Sequence, residues 1–339
     1  MNRITLITVL VLCAMIICTS CDKNESTVSS HCPCIERKKL ENVSKEKNFV
    51  GIKNITFENY PKVDGSTSAN ILNSLIACKL LGIRYSWVEA SAALVETWVR
   101  PNPTDIPAHY QNFFGNRIKT SQTHSAFINL IDGNADIIVT HRKISPDEKS
   151  HAASVGVSLL ETSIALDAFV FVVNPNNTVQ SLTVGQIQKI YTSQITDWSQ
   201  VGGKNERIKV FTRPRNSGSE EVFRLLVMNG LEPDNFPEAS ITLMSLVFNE
   251  IWYNENAICY TFLNYKDVMA KMPQVPVLAV NGICPNENTI KRQTYPFISE
   301  VHIAIRSDLN HNSMAYKLYE WLQSKHAKYT LEECGFFTK

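Results

Sequence analysis

Short runs rich in Val, Ile and Phe alternate with helix-forming stretches over about 280 residues, and that alternation leaves few folds open. Asp136–Val139, Ala168–Val173, Ile208–Phe211, Ala257–Phe262, Val275–Val280 and Val301–Ile305 suit strands buried on both faces. Between them lie helical patterns. Ile71, Leu72, Leu75 and Ile76 share one helix face, as do Val184, Ile187, Ile190 and Tyr191 after the capping-box pattern Thr183-x-x-Gln186. Ser145-Pro146-Asp147-Glu148 is a third helix start, and Met314–Ser324 is an amphipathic closing helix. Strand–helix alternation predicts an α/β protein with mostly parallel sheets flanked by helices. The 339 residues are enough for two domains with their own cores, and no internal repeat interrupts them. Trp87–Asn116 breaks the rhythm with Pro101, Pro103 and Pro107, and reads as an excursion or a lid.

The two ends carry different information. Arg3 is the only charge before an apolar run, Ile4–Cys18, which is too short to span a bilayer and has the size of a secretory signal core. Cys18-Thr19-Ser20-Cys21 followed at once by Asp22 resembles a bacterial lipoprotein signal, with residues 1–20 removed and Cys21 lipidated. Cys18 stands where Leu is usual, which keeps ordinary cleavage and an uncleaved anchor open as alternatives. Residues 21–50 are rich in Lys, Glu, Ser and Asn and read as a tether. Within it, His31-Cys32-Pro33-Cys34 offers too few ligands for a closed zinc site, so no metal is expected. Net charge is +1, and loss of Arg3 would leave 32 basic and 32 acidic residues. That balance gives no reason to expect nucleic acid as a partner. Of the nine cysteines, Cys78 sits on an apolar helix face and reads as a buried thiol. One bridge among Cys259, Cys284 and Cys334 is an expectation.

Three segments place small hydroxyls where a strand hands over to a helix. They are Asp64-Gly65-Ser66-Thr67-Ser68, Thr140-His141-Arg142, and Arg213-Pro214-Arg215-Asn216-Ser217-Gly218-Ser219-Glu220. Free backbone N–H groups and the helix dipole make such entrances anion sites, and Arg213 offers a planar fork for two oxyanion oxygens. Each also has a plainer reading. Ser217-x-x-Glu220 forms a capping box, and Gly65 and Gly218 serve turns.

Together PKVDGSTS at Pro61–Ser68, TSQTHSAFINLID at Thr120–Asp132, DAFVFVVN at Asp167–Asn174, the Leu182–Gly203 stretch and FTRPRNSGS at Phe211–Ser219 resemble the phosphate-binding proteins of bacterial ABC importers. The resemblance covers roughly 55–339 and implies a type 2 periplasmic-binding-protein-like fold, two lobes closing on a hinged crevice. It implies a first lobe of 51–142 and 263–339, a second of 143–262, and crossings near 142–168 and 252–265. Ser66, Thr67 and Ser68 would donate to the ligand from the first lobe, and Arg213, Ser217, Gly218 and Ser219 from the second. Thr140 and His141 would join them, with Gly65, His124 and Asp64 as further candidates. Family members commonly hold a carboxylate after the third strand that accepts the proton of hydrogen phosphate. Here that slot is His141, so Asp64 or Glu220 would have to supply the acceptor, and His141 could equally be a strand-end residue facing solvent. Arg142 could form an ion pair between surface groups. The resemblance further implies a monomer without cofactor, delivering phosphate to ABC permease subunits from the outer face of a membrane. Alternatives are an anion sensor or surface-binding protein and, less favoured, a phosphoester hydrolase. No G-x-S-x-G, H-E-x-x-H or Walker loop occurs, so no catalytic residue is assigned.

Overall fold

The computed structural model describes residues 31–33, 49–89, 96–236 and 239–338. The signal and Cys21 lie outside the described residues, as do Cys34 and most of the tether. The strands are β1 (Val63–Gly65), β2 (Tyr85–Val88), β3 (Trp98–Pro101), β4 (Ile137–Thr140), β5 (Leu159–Val173), β6 (Ser181–Leu182), β7 (Lys209–Val210), β8 (Ala257–Phe262), β9 (Ala279–Val280) and β10 (Ile298–Arg306). The helices are α1 (Asn70–Leu81), α2 (Phe113–Arg117), α3 (Thr123–Ile131), α4 (Pro146–Ser154), α5 (Val184–Tyr191), α6 (Gly218–Val222), α7 (Leu246–Tyr253), α8 (Glu287–Lys291), α9 (Met314–Gln323) and α10 (Lys328–Glu333). Helix α6 runs on without a break into a wider π turn, Phe223–Met228.

One six-stranded sheet, in the order β1-β4-β10-β5-β8-β7, organises the molecule. Its long member is β5. Residues 159–168 pair with β10, and residues 169–173 pair with β8. A single strand therefore serves two half-sheets, which explains its uninterrupted burial from Ala165 to Val173. The expected division after residue 142 does not follow this pairing. Residues 159–168 belong with the β1-β4-β10 half, and α4 packs on α3 there. The return after residue 262 is also more divided than expected. β9 pairs with β6, and Leu278 N–H donates to Phe171 O, so this segment lies against the β8 half before β10 rejoins the first. An apolar run is equally content against either half, which is why the sequence could not choose.

The sheet is mixed, where mostly parallel pairing was expected. β1 with β4 and β7 with β8 run parallel, whereas β10 runs antiparallel to both β4 and β5, and β5 antiparallel to β8. Strands covered on both faces read alike in either direction.

Local signals act as their chemistry dictates. Thr183 Oγ1 accepts from Gln186 N at 3.1 Å, and Gln186 returns its Oε1 to Thr183 N–H at 2.8 Å, closing the capping box of α5. Gly65 is required by close approach, since a Cβ there would lie 2.4 Å from Val139 O. The Trp87–Asn116 region contains the β2–β3 hairpin and short helices, anchored to the body through buried Val99, Ile106 and Phe113. Thr97 N–H donates to Met269 O. A separate surface cavity of about 530 Å3 opens beside Phe57, Tyr110 and Arg117.

The expected bridge among Cys259, Cys284 and Cys334 does not form. Cys284 is bonded to Cys32, with Cα atoms 5.4 Å apart, while Cys78, Cys259 and Cys334 are buried free thiols. Burial pushes Cys78 and Cys259 up to about 12, which keeps both as inert thiols. The bridge pins the tether residue Cys32, and His31 Nε2 lies 3.1 Å from Val179 O. Two of the three potential metal ligands in the His31-Cys32-Pro33-Cys34 motif are thus committed elsewhere. Among the described residues no cluster of metal-ligating side chains occurs, and no helix is long and apolar enough to cross a membrane.

Candidate anion-binding crevice

Two strand ends and one helix entrance meet between the half-sheets. The loop after β1 carries Ser66, Thr67 and Ser68 into α1, and the loop after β4 carries His141 and Arg142. From the other half comes the entrance to α6, with Arg213, Ser217, Gly218 and Ser219. The two sides touch directly. A Cβ added to Gly218 would lie 2.2 Å from Thr123 Oγ1, at the start of α3. Arg142 Nε pairs with the carboxylate of Glu221 on α6. All but Thr67 and Gly218 of the predicted crevice residues on these segments are buried.

The two buried arginines are in opposite electrostatic situations. Arg142 is saturated. Its Nη1 and Nη2 donate to Glu148 at 2.8 and 2.7 Å, and Glu221 takes Nε. Burial works against its charge, but Glu148 and Glu221 more than offset this and hold its pKa above the usual arginine value. So Arg142 forms a buried ion-pair network, where a pairing of surface groups was one expectation. Arg213 is 8% exposed. Its Nη1 donates to Ile241 O at 3.0 Å and its Nε to Ser219 Oγ at 3.3 Å. No carboxylate among the described residues lies within ion-pair distance of it, and burial pulls its pKa below the usual arginine value. A desolvated guanidinium without a counter-ion is costly, and an anion in the crevice would offset that cost.

Ser217 does cap α6, accepting from Glu220 N–H at 3.3 Å. Glu220 does not reciprocate. Its carboxylate takes the hydroxyl of Tyr260 and, at 2.8 Å, the Nε of Arg224. Tyr260 in turn accepts from Arg213 N–H at 3.1 Å, so Glu220 braces the Arg213 loop with a donor already on each oxygen. Asp64 is likewise committed. It accepts from Gly65 N–H at 2.7 Å, Ser121 N–H at 2.9 Å and Asn129 Nδ2 at 2.7 Å. Both carboxylates are thus held by protein donors, which leaves each with fewer lone pairs for the acceptor role that the resemblance calls for.

The remaining candidates separate cleanly. Thr140 spends its hydroxyl on Arg142 O at 2.8 Å. His124 faces Glu148 at 3.0 Å and so joins the Arg142 network. His141 is 3% exposed, against its reading as a solvent-facing strand end. Its Nδ1 lies 2.8 Å from Ser68 Oγ, and its ring packs 4.4 Å from that of Phe262. Sequence reasoning missed three residues that the fold brings here. Thr123 touches Gly218, Glu221 pairs with Arg142, and Asp167 lies 3.6 Å from His141 Nε2. The available signal for Asp167 was a lone carboxylate at the head of the apolar run Ala168–Val173.

Burial also pushes Glu221 up to about 7, although Arg142 pulls the other way. A carboxyl with a raised folded-state pKa takes up a proton on folding. Its contribution is complete below the unfolded value of roughly 4.3 and is lost as pH rises through about 7. Glu221→Gln, fixed in the neutral form, should therefore flatten the fall in Tm between about pH 5 and 8, read by differential scanning fluorimetry across that range.

A family model described as a PBP superfamily domain matches residues 107–326. The phosphate-binding protein PstS of Bacillus subtilis is 23% identical over 194 residues, which span 57% of this chain and 59% of that relative. PstS of Borreliella burgdorferi is 25% identical over 207 residues, spanning 59% of this chain and 71% of the relative. A Clostridium perfringens protein solved with bound phosphate superposes with a TM-score of 0.60 at 20% identity, over 82% of this chain and 98% of the other. An ABC-type phosphate transport receptor from Vibrio cholerae gives 0.59 at 24% identity, over 84% and 100%. The type 2 periplasmic-binding-protein fold expected from the sequence is the fold observed, and the chain belongs to the PBP superfamily.

Proposed function

We propose that the crevice binds inorganic phosphate and that the chain is the receptor of an ABC importer. The observation that carries this reading is Arg213, buried and without a carboxylate partner among the described residues, beside the hydroxyls and N–H groups of the α6 entrance. The names of the curated relatives support the ligand. Ser66, Thr67 and Ser68 close the crevice from the first lobe, and Arg213, Ser217, Gly218 and Ser219 from the second. The lobes divide where β5 changes partner, between Ala168 and Phe169, and again near 262–264 and 297–298. Residues 1–20 are a cleaved signal, and Cys21 carries the lipid that anchors the receptor outside the membrane. It works as a monomer, presenting its ligand to permease subunits. Isothermal titration with phosphate should show one site of about micromolar affinity or tighter, near −8 kcal/mol. Silence with phosphate alongside heat from a different small oxyanion would move the reading to that ligand.

A further inference from the structure

The hydroxyls of the first lobe were expected to donate to the ligand, yet their neighbours point the other way. Ser68 Oγ lies 2.8 Å from His141 Nδ1, and Ser66 Oγ lies 3.1 Å from Ser68 Oγ and 3.5 Å from the same nitrogen. Behind the imidazole, Nε2 faces Asp167 Oδ2 at 3.6 Å. Both of those atoms are buried and have no hydrogen-bond partner, so each is the nearest complement the other has. The second oxygen of Asp167 is fixed, because Oδ1 accepts from Ala168 N–H at 2.8 Å and Asn264 N–H at 3.1 Å. Those two donors sit where β5 changes partner, so the carboxylate cannot turn away from His141.

We propose that Asp167, acting through His141, turns the Ser66–Ser68 pair into a hydrogen-bond acceptor, so that the crevice selects a tetrahedral oxyanion that still carries a proton. This rests on the phosphate reading of the same site. Asp167 has only lone pairs to offer, so it holds the imidazole proton on Nε2. Nδ1 is then an acceptor, and it takes the hydroxyl proton of Ser68. Ser66 in turn donates to Ser68, and the lone pairs left on Ser66 face an incoming P–OH. Hydrogen phosphate satisfies them; sulfate, fully deprotonated at neutral pH, brings a lone pair against a lone pair. Unmatched polar contacts of this kind are what let a binding site reject a near-isosteric ligand. Asp167 is a positioning residue here, and Ser66 and Ser68 are the groups that touch the ligand.

Asp167→Asn tests this sharply. Oδ1 stays with the two backbone donors, so Nδ2 of the new amide faces His141 Nε2 and forces the imidazole proton to Nδ1. Ser68 must then accept from Nδ1, and its own proton is freed toward the crevice. Phosphate affinity should fall on the order of tenfold to a hundredfold while sulfate affinity holds or rises. Titration reads the phosphate arm, and competition against phosphate reads sulfate. Nitrogen NMR of His141 should show the proton on Nε2 in the native protein and on Nδ1 in the variant. Ser68→Ala, which leaves Asp167 and its backbone partners intact, should cost the same discrimination and covers a failure of Asp167→Asn to fold. A native imidazole protonated on Nδ1 overturns the relay. An unchanged phosphate-to-sulfate ratio despite a switched tautomer overturns its role in selection. If the native protein binds no phosphate, the phosphate reading fails by itself, and the tautomer measurement still judges the relay.

Discussion

Arg213→Ala should reduce phosphate affinity by roughly a hundredfold to a thousandfold, the largest single effect expected in this protein. A charge-assisted hydrogen bond is worth about 1.5–3 kcal/mol, and a guanidinium fork makes two. Each tenfold is about 1.4 kcal/mol, so a loss of 3–4 kcal/mol spans that range. Without ligand the substitution should scarcely lower Tm, because it removes a desolvated charge with no carboxylate among the described residues at ion-pair distance. Arg213→Lys should fall between, keeping the charge but losing the fork. The same change at Arg142 should behave in the opposite way. Its truncation would strand Glu148 and Glu221 and so strike stability first. Titration calorimetry and thermal melts with and without phosphate separate the two cases; a sharp fall in the ligand-free Tm of Arg213→Ala would show that this guanidinium serves the fold.

Gly218→Ala should weaken phosphate binding by about five- to a hundredfold without touching the ligand's charge. The added Cβ would meet Thr123 Oγ1 at 2.2 Å and Thr123 Cβ at 3.0 Å, across the junction of the two halves. Overpacking of this kind costs roughly 1–3 kcal/mol. Here it acts on closure, because Gly218 and Thr123 need not touch when the halves are apart. Ligand-free Tm should therefore change little while affinity drops. Thr123→Ala in the same chain should recover part of the loss, since it removes the nearer obstacle. A Tm that falls as far as the affinity would show that the contact belongs to the resting fold and not to closure alone.

The fold was legible because its signals are local. The capping box at Thr183, the helix start at Ser145 and the apolar runs act within a few residues of themselves, so they survive being read in one dimension. Strand direction and partner were not legible. Val275–Val280 and Val301–Ile305 look alike in the sequence, yet one lies against β5 and β6 and the other between β4 and β5. Cys284 groups with Cys259 and Cys334 in the C-terminal third of the sequence but is bonded to Cys32, 252 residues away.

The site divides along the same line. By itself the sequence determined which segments to consider for the crevice, since hydroxyl-rich helix entrances and an arginine four residues before Ser217 are short patterns. The resemblance it carries also implied that His141 takes a slot where a carboxylate is common. Only the tertiary structure decided what each side chain was free to do. Asp64 and Glu220 were candidate acceptors, but backbone amides and Tyr260 occupy them. Arg142, expected as one of a pair of surface groups, is buried between Glu148 and Glu221, while Arg213 has no such partner among the described residues. Asp167 reaches His141 because β5 changes partner beside it. A hydrogen bond spends a donor or an acceptor on one partner, and which partner arrives is settled by segments far apart in the chain.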